Sequence, residues 1–266
     1  METLIVFLLP FFFSTVFPQG STTVPKIGFV KSGTIRVDDH TLSDWDGIKP
    51  IQNLTCANHW QNPICGKAPD SCRQDRVDLQ ASFYLAWDGA NLFFAVDVID
   101  DTVLAVPSTD KNLYRGDSAE LFFVEECASQ SDYHDCVSTD KPVFQLILCP
   151  SELNNKKYHF AEYRTPTSII QSAFQNGFQA SGWRSNNGWQ AEVIFPLKAL
   201  GKTRTNIKGG QRVKISFDVL DYDRKLAKWQ EPCWGFAPDN VVSNVEKQEM
   251  ATNPTRMIEF IFESSK

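Results

Sequence analysis

The feature that most constrains this sequence is an alternation of apolar and polar residues, which is clearest from residue 79 onward. The segment "LQASFYLAWDGANLFFAVDVIDD" contains two such runs, separated by Asp88-Gly89-Ala90-Asn91. Successive side chains point to opposite faces of a strand, so each run predicts a strand with one apolar face. The residues between the runs are of the types that tight hairpin turns prefer. The segment is therefore predicted to be an antiparallel β-hairpin. Its apolar faces consist of Phe83, Leu85 and Trp87 on the first strand and Leu92, Phe94, Val96 and Val98 on the second.

Further segments continue this period of two: "SAELFFV", "VFQLILC", "KYHFAEY", "WQAEVIFPL", "VKISFDVLDYD" and "RMIEFIF". Only Pro196–Gly201 has helical character, and it is long enough for no more than a turn or two. A doubly wound α/β fold would require long amphipathic helices, and the sequence contains none. The sequence predicts an all-β fold, an antiparallel β-sandwich of the jelly-roll or immunoglobulin-like type with very little helix.

Aromatic residues on the strands of a sandwich usually belong to the core. We therefore expect Phe83, Trp87, Phe93 and Phe122 to be packing residues. Trp183 and Trp189 flank the turn "RSNNG" and are expected to pack in the core or across a hairpin.

The N-terminus differs in composition from the rest of the chain. Leu4–Phe13 is an apolar run followed by small and polar residues. Such a run is too short to span a bilayer, but it suits the core of a signal peptide, although no Lys or Arg precedes it. A buried N-terminal strand is the alternative. We interpret residues 1–20 as a signal peptide and residues 21–266 as a single secreted domain.

The charge balance limits the possible partners. The formal net charge is −6, and no basic stripe is present, which argues against nucleic acid and against anionic lipid surfaces. The C-terminal "RMIEFIFESSK" is too short and too charged to anchor the chain, so no membrane span is expected. An uncharged partner is compatible with this balance.

The cysteines favour disulfides if the chain is secreted. They stand at positions 56, 65, 72, 127, 136, 149 and 233. Cys127 and Cys136 flank a polar loop between two strand-like runs and are the favoured pair, whose loop closure would stabilise the fold by about 2–4 kcal/mol. Three others lie in an insert at about 52–78. A zinc site is less favoured, because no Cys-x-x-Cys occurs.

The stretch "LYRGDSAELFF", Leu113–Phe123, permits two interpretations. Arg115-Gly116-Asp117 is a tripeptide that integrin-type receptors bind when a flexible loop displays it, which would make the protein an adhesion ligand. Asp117–Phe123 alternatively begins a strand that carries Glu120. We favour the strand and keep the adhesion ligand as an alternative.

Three stretches, taken together, resemble carbohydrate-binding module family 9, which shares its sandwich with DOMON-like domains. They are "IRVDDHTLSDWDGIKP", then "FYLAWDGANLFFAVDVIDD" leading to "LYRGDSAELFF", and finally "NGWQAEVIFPLKAL". The resemblance covers most of the chain after residue 30, and the insert lies outside it. It implies a mostly non-catalytic protein that holds a glycan, often by a terminal sugar, between two aromatic side chains, in the context of polysaccharide breakdown.

The resemblance also implies site residues. The first aromatic position falls on Tyr114, where family members often have Trp, and the second falls on Trp234, with Trp229 as the alternative. The polar partners fall on Glu120 and on Gln145, where an Arg can stand. Tyr114 in place of Trp and Gln145 in place of Arg are departures from the family pattern, and they affect the expected affinity and sugar preference.

These residue types suit a sugar. Flat aromatic rings match the apolar face of a pyranose, a carboxylate accepts hydroxyl hydrogen bonds, and a carboxamide can donate and accept at once. Each position also has a structural interpretation. Tyr114 could be an ordinary exposed residue, and Glu120 could be a paired structural carboxylate.

Several members of the resembled family bind structural calcium. Asp100, Asp101 and Asp117 offer the hard oxygen ligands that calcium prefers, and they are candidate calcium ligands. A solvated acidic strand end is the alternative.

Two other functions compete with sugar binding. A glycoside hydrolase, or an accessory component of one, would need a pair of carboxylates, for which Glu120, Glu125 or Glu192 could be nominated. Established catalytic signatures are absent from the sequence, which favours a binding protein over an enzyme. Haem binding would need axial ligands, and beyond the leader the methionines are limited to Met250 and Met257.

Overall fold

The computed structural model describes residues 25–50, 52–54, 60–61, 79–100, 102–103, 116–125, 143–150, 158–160, 167–200, 209–220, 233–235 and 258–264. Within these ranges the chain forms thirteen strands and one α-helix. The strands are β1 (Lys26–Phe29), β2 (Gln52–Leu54), β3 (Trp60–Gln61), β4 (Leu79–Trp87), β5 (Asn91–Asp100), β6 (Ser118–Glu125), β7 (Val143–Leu148), β8 (Tyr158–Phe160), β9 (Gln179–Ser185), β10 (Gly188–Pro196), β11 (Arg212–Leu220), β12 (Cys233–Gly235) and β13 (Ile258–Phe262). The predicted all-β fold with very little helix is confirmed.

The helical content differs in one respect from the prediction. The α-helix α1 (Thr167–Gln175) was not predicted, whereas the helical turn expected at Pro196–Gly201 forms a 3₁₀ helix at Leu197–Leu200. Ile169 and Ala173 of α1, four residues apart, are buried in the core. So short a helix gives a weak periodic signal, which explains why the sequence did not reveal it.

The β4–β5 hairpin is confirmed, and its turn depends on Asp88. The Oδ1 atom of Asp88 accepts hydrogen bonds from the backbone N–H groups of Ala90 (2.9 Å) and Asn91 (2.7 Å). Gly89 has a φ of +92°, a conformation that glycine adopts without steric cost. The strands then pair in antiparallel register from Trp87 opposite Leu92 to Leu79 opposite Asp100.

The strands form two sheets. The front sheet has the order β8-β7-β6-β11-β13, with β12 also beside β11, and the back sheet has the order β4-β5-β10-β9, with β2 beside β4. Strand β1 joins them, because its first half pairs with β13 and its second half with β4. Both of these pairings are parallel, so the otherwise antiparallel sandwich is mixed at this seam.

The core lies between the two sheets. The ring of Phe217, on the front sheet, stacks on Phe83 (centroids 5.0 Å apart) and on Phe94 (5.3 Å) of the back sheet. The aromatic residues expected to pack, namely Phe83, Trp87, Phe93, Phe122, Trp183 and Trp189, are all buried, and Phe83, Trp87 and Trp189 lie in this core. Aromatic burial of this kind is a large part of the free energy that holds the sheets together.

A long segment covers the outer face of the back sheet. Residues 30–50, which we call the N-terminal segment, contribute Ile35 and Trp45 to a second apolar cluster with Ala86, Phe93 and Ala95 of β4 and β5. The back sheet is therefore covered on both faces, by the core and by this segment. Among the helices that the structure describes, none is long and apolar enough to cross a membrane.

Candidate functional site

Two of the predicted polar site residues meet on the front sheet. Glu120 lies on β6 and Gln145 on the neighbouring β7, where Gln145 is paired with Phe122. The Nε2 atom of Gln145 donates a hydrogen bond of 2.7 Å to Oε2 of Glu120. The adjacent residues on these strands, among them Ala119, Leu121 and Leu146, belong to the core, so Glu120 and Gln145 lie on the opposite, outer face.

Both side chains are buried despite facing away from the core. Glu120 is 8% exposed and Gln145 is 3% exposed. A carboxylate removed from water needs hydrogen-bond partners, and the Gln145 amide supplies one. The hydrogen bond also limits the rotamers of Glu120 and so holds its carboxylate in one orientation.

The residues preceding Glu120 are buried as well. Asp117 is 1% exposed, and β6 begins directly after it, at Ser118. The hydroxyl of Ser118, on the same face as Glu120, makes no hydrogen bond to any other residue that the structure describes. The sequence analysis did not identify Ser118, because a single serine at the start of a strand belongs to no recognisable motif.

Strand register brings the Trp234 strand close to Glu120. Asp218 of β11 is opposite Glu120 on one side and opposite Gly235 of β12 on the other. With neighbouring strands about 4.8 Å apart, Gly235 lies about 10 Å from Glu120 across the sheet. Trp234 stands one register position away, opposite Val219.

The same row contains a tryptophan that the sequence did not nominate. Trp60 of β3 is opposite Gly235, which places it in the row of Asp218 and Glu120. Trp60 lies inside the insert at about 52–78, which was set apart from the family pattern. No local signal indicates that this short strand pairs with residues more than 170 positions later, since such pairing depends on the assembled sheet.

Several predicted residues fall outside the described ranges. They are Tyr114, Trp229, the possible calcium ligand Asp101, the disulfide pair Cys127 and Cys136, Arg115 of the tripeptide, and Met250 and Met257. Their assignments stay predictions.

The aspartates proposed for calcium are in part described. Asp100 ends β5, and its Oδ1 atom accepts a hydrogen bond of 2.7 Å from the backbone N–H of Thr102. Within the described part of the chain no three His, Cys, Asp or Glu side chains come close enough together to hold a metal ion. Calcium binding stays a prediction.

Glu192, nominated as a possible catalytic carboxylate, lies on the back sheet. It is fully buried, and its Oε1 atom accepts a hydrogen bond of 2.6 Å from Nε1 of Trp45. Burial is the main cause of a pKa of about 8 for Glu192. The Trp45 hydrogen bond lowers this pKa, and the nearby Asp39, Asp44 and Asp38 raise it. The carboxyl group is therefore mainly protonated at neutral pH.

The sandwich separates Glu192 from Glu120. The first faces the N-terminal segment on the outer side of the back sheet, and the second lies on the outer side of the front sheet. Stacked sheets are about 10 Å apart, so two groups on opposite outer faces are farther apart than that. A glycosidase pair requires a separation of about 5–9.5 Å, so these two carboxylates cannot flank one glycosidic bond.

Comparison with known proteins identifies a family. Residues 55–235 match the family model described as "Carbohydrate family 9 binding domain-like". The matched range includes most of the insert at about 52–78 and ends at the last residue of β12. No curated protein matches the chain.

Solved structures resemble the fold. A carbohydrate-binding module of family 9 from Caldicellulosiruptor kristjanssonii, in complex with cellotriose, has a TM-score of 0.54 at 15% identity. That comparison covers 91% of this chain and 95% of the other. A family 9 module from the same organism in complex with glucose has a TM-score of 0.53 at 16% identity, covering 91% and 97%. At this level of identity the likeness establishes the sandwich fold.

Proposed function

This chain belongs to the carbohydrate family 9 binding domain-like family, and from that premise we propose that it binds a glycan at the outer face of the front sheet. The observation that carries the proposal is the hydrogen bond of 2.7 Å between Gln145 and Glu120. The family resemblance predicted these two residues as polar partners of a sugar. They are 25 residues apart in the sequence and meet on neighbouring strands.

The geometry of the pair suits hydroxyl recognition. A carboxylate accepts hydrogen bonds from hydroxyl groups, and a carboxamide can donate and accept at once. Orientation before binding matters, because a side chain that is already ordered loses little entropy when the ligand arrives. The Gln145 amide supplies that ordering to Glu120.

We propose that aromatic side chains complete the site. Tyr114 is two residues before Gly116, the residue at which the described segment containing β6 begins. Trp234 lies on β12, two strands from Glu120. Trp229 stays the alternative to Trp234. Trp60 is added as a further candidate, because its register position is in the row of Glu120.

The ligand class is proposed from the fold relatives. Two structures that resemble this fold are complexes with cellotriose and with glucose, which supports a glucose-containing oligosaccharide as the first ligand to test. The proposed role is non-catalytic and secreted, with residues 1–20 as the leader and residues 21–266 as the binding domain. N-terminal sequencing of the exported chain tests this assignment. If residues 1–20 are a cleaved signal peptide, the mature chain should begin near residue 21.

The adhesion alternative is less well supported. An adhesion receptor must reach the aspartate of the tripeptide, and Asp117 is 1% exposed. A buried carboxylate at the start of a strand does not meet that requirement.

The test is calorimetric titration of the full-length chain with cellotriose and with glucose. Glu120→Gln keeps the size of the side chain and removes its charge, so we expect it to weaken binding about 10- to 100-fold, as for loss of a charge-assisted hydrogen bond. Glu263→Gln is the matched control, because Glu263 is exposed and distant from this pair along the sequence.

Two results would contradict the proposal. One is a folded wild-type chain that binds no member of a glycan panel. The other is an equal loss of affinity in Glu120→Gln and Glu263→Gln. Release of sugar by the wild-type chain but not by Glu120→Gln would instead support the glycosidase.

A further inference from the structure

A cavity lies on the outer face of the back sheet, on the other side of the sandwich from the Glu120–Gln145 pair. Its volume is about 260 Å³. Its floor is formed by Tyr84 of β4, Asp97 of β5 and Gln190 of β10, and its walls include Leu42, Trp45 and Asp46 of the N-terminal segment. We propose that this cavity is a second ligand site, which takes a neutral polyhydroxyl compound the size of a monosaccharide.

The polar floor is already ordered. Nε1 of Trp183 donates a hydrogen bond of 3.0 Å to Oε1 of Gln190, and Nε2 of Gln190 donates one of 2.9 Å to Oδ1 of Asp97. This chain of hydrogen bonds fixes the amide and the carboxylate in one orientation. Each still has capacity, because Gln190 Nε2 carries a second proton and Asp97 has a second oxygen.

The wall above the floor is also held in place. Trp45 is anchored to the sheet by its hydrogen bond to Glu192, and the backbone N–H of Ile48 donates to the carbonyl of Trp45 (2.9 Å). Five residues before Trp45, the ring of His40 stacks on Trp183, with centroids 5.7 Å apart. The cavity therefore lies between two anchored layers.

The lining matches a sugar in both chemistry and size. Trp45 and Tyr84 provide aromatic surface, while Asp97 and Gln190 provide an acceptor and a donor for hydroxyl groups. Drug-sized ligands occupy pockets of about 300–1,000 Å³, so a cavity slightly smaller than this range suits one sugar ring.

Other ligand classes fit less well. Anions are disfavoured, because Asp46 and Asp97 line the cavity and Asp38, Asp39 and Asp44 lie on the same segment. A cation would use the carboxylates but would leave the donor capacity of Gln190 without a partner. A hydroxyl-rich neutral compound uses both kinds of group.

The test is a titration of the isotopically labelled full-length chain with glucose, followed by NMR of the tryptophan indole N–H groups. The Trp45 and Trp183 signals are assigned by single Trp→Phe changes. We expect both to shift in a saturable way, with weak affinity on the order of millimolar. The same shifts are expected in Glu120→Gln, since that residue lies on the other sheet.

Two variants probe the cavity itself. Asp97→Asn keeps an acceptor for Gln190 and is expected to weaken binding about tenfold, as for loss of a charged hydrogen-bond partner. Asp38→Asn is the matched control, because Asp38 is an exposed aspartate of the N-terminal segment and does not line the cavity. Leu42→Phe adds bulk to the wall and is expected to block binding even if Asp97→Asn fails to fold.

Each contrary result has a defined meaning. The proposal is overturned if glucose and a panel of other sugars and polyols leave the Trp45 and Trp183 signals unchanged. It is also overturned if the shifts persist unaltered in Leu42→Phe, or if tetramethylammonium produces them and the polyhydroxyl compounds do not. Loss of the shifts in Glu120→Gln would mean a single site on the front sheet. If Glu120→Gln keeps these shifts but no longer binds oligosaccharide in calorimetry, the result would support two independent sites.

Discussion

Single side chains in this protein have environments that differ from those expected of their residue type. The clearest case is Glu192, a carboxyl group that is fully buried against Trp45, with a pKa raised from 4.5 to about 8. A raised pKa means that the folded state binds a proton that the unfolded state has already released. That difference makes the stability of the fold depend on pH.

We predict that Glu192→Gln flattens this dependence. Below about pH 4.5 both states of the wild type carry the proton, so the full stability is present. As the pH rises towards about 8, the free energy of unfolding falls by up to about 1.4 kcal/mol per pH unit on account of this group. The amide introduced by the substitution does not titrate, and its oxygen can still accept the hydrogen bond from Trp45. Urea unfolding at a series of pH values measures how the free energy of unfolding changes with pH in the wild type and in Glu192→Gln.

The control for this comparison is Glu263→Gln, which removes an exposed carboxylate paired with Lys26 at 3.9 Å, an interaction of little energetic weight. We expect the free energy of unfolding of Glu263→Gln to change with pH as it does in the wild type. Parallel slopes in the wild type and Glu192→Gln between pH 5 and pH 8 would contradict the raised pKa.

At the scale of elements, close approaches between strands require glycine at particular positions. Gly182 of β9 lies against the backbone of Cys149, the residue that follows β7, and a Cβ atom there would collide with the carbonyl oxygen of Cys149. Strand β9 is the edge of the back sheet, and β7 belongs to the front sheet. Gly182 therefore lets the two sheets approach at this edge.

We predict that Gly182→Ala destabilises the fold by about 1–3 kcal/mol, the usual range for overpacking. Gly28→Ala is the matched control, since Gly28 is also in a strand and a Cβ atom there would meet nothing within 4 Å. The control is expected to be neutral or slightly stabilising, because alanine restricts the unfolded chain. Thermal and urea unfolding of both variants measure the difference, and equal stabilities would refute the close approach.

At the scale of the whole molecule, the sandwich depends on aromatic rings that bridge the two sheets. Phe217 contacts Phe83 and Phe94 across the core, and Phe260 at the adjacent strand (centroids 6.4 Å apart). The two outer faces carry separate polar arrangements, Glu120 with Gln145 on one and the cavity around Asp97 on the other. A stable core between them allows the two faces to act independently.

We predict that Phe217→Ala costs about 3–5 kcal/mol of unfolding free energy, as expected for the loss of a buried aromatic side chain. Phe174→Ala is the matched control, because Phe174 is half exposed on α1 and its ring contacts Phe178 (centroids 5.5 Å apart), and it should cost only about 1 kcal/mol. Urea unfolding followed by tryptophan fluorescence gives both values. Similar losses of unfolding free energy in the two variants would place Phe217 outside the stabilising core.

The sequence by itself determined the fold class, the β4–β5 hairpin and the apolar faces of its strands. These follow from a period of two and from the Asp-Gly-Ala-Asn turn, which are local properties. It also indicated the family, because the motifs that carry the resemblance are contiguous. Glu120 and Gln145 were nominated through that resemblance.

The tertiary structure alone decided which distant residues meet. Trp45 and Glu192 are 147 residues apart and share a hydrogen bond, and Trp60 reaches the row of Glu120 only through β12 and β11. The cavity likewise forms only where the N-terminal segment crosses three strands. Such contacts depend on strand order and on the packing of a covering segment. Both are set by the global minimum of free energy rather than by any local pattern.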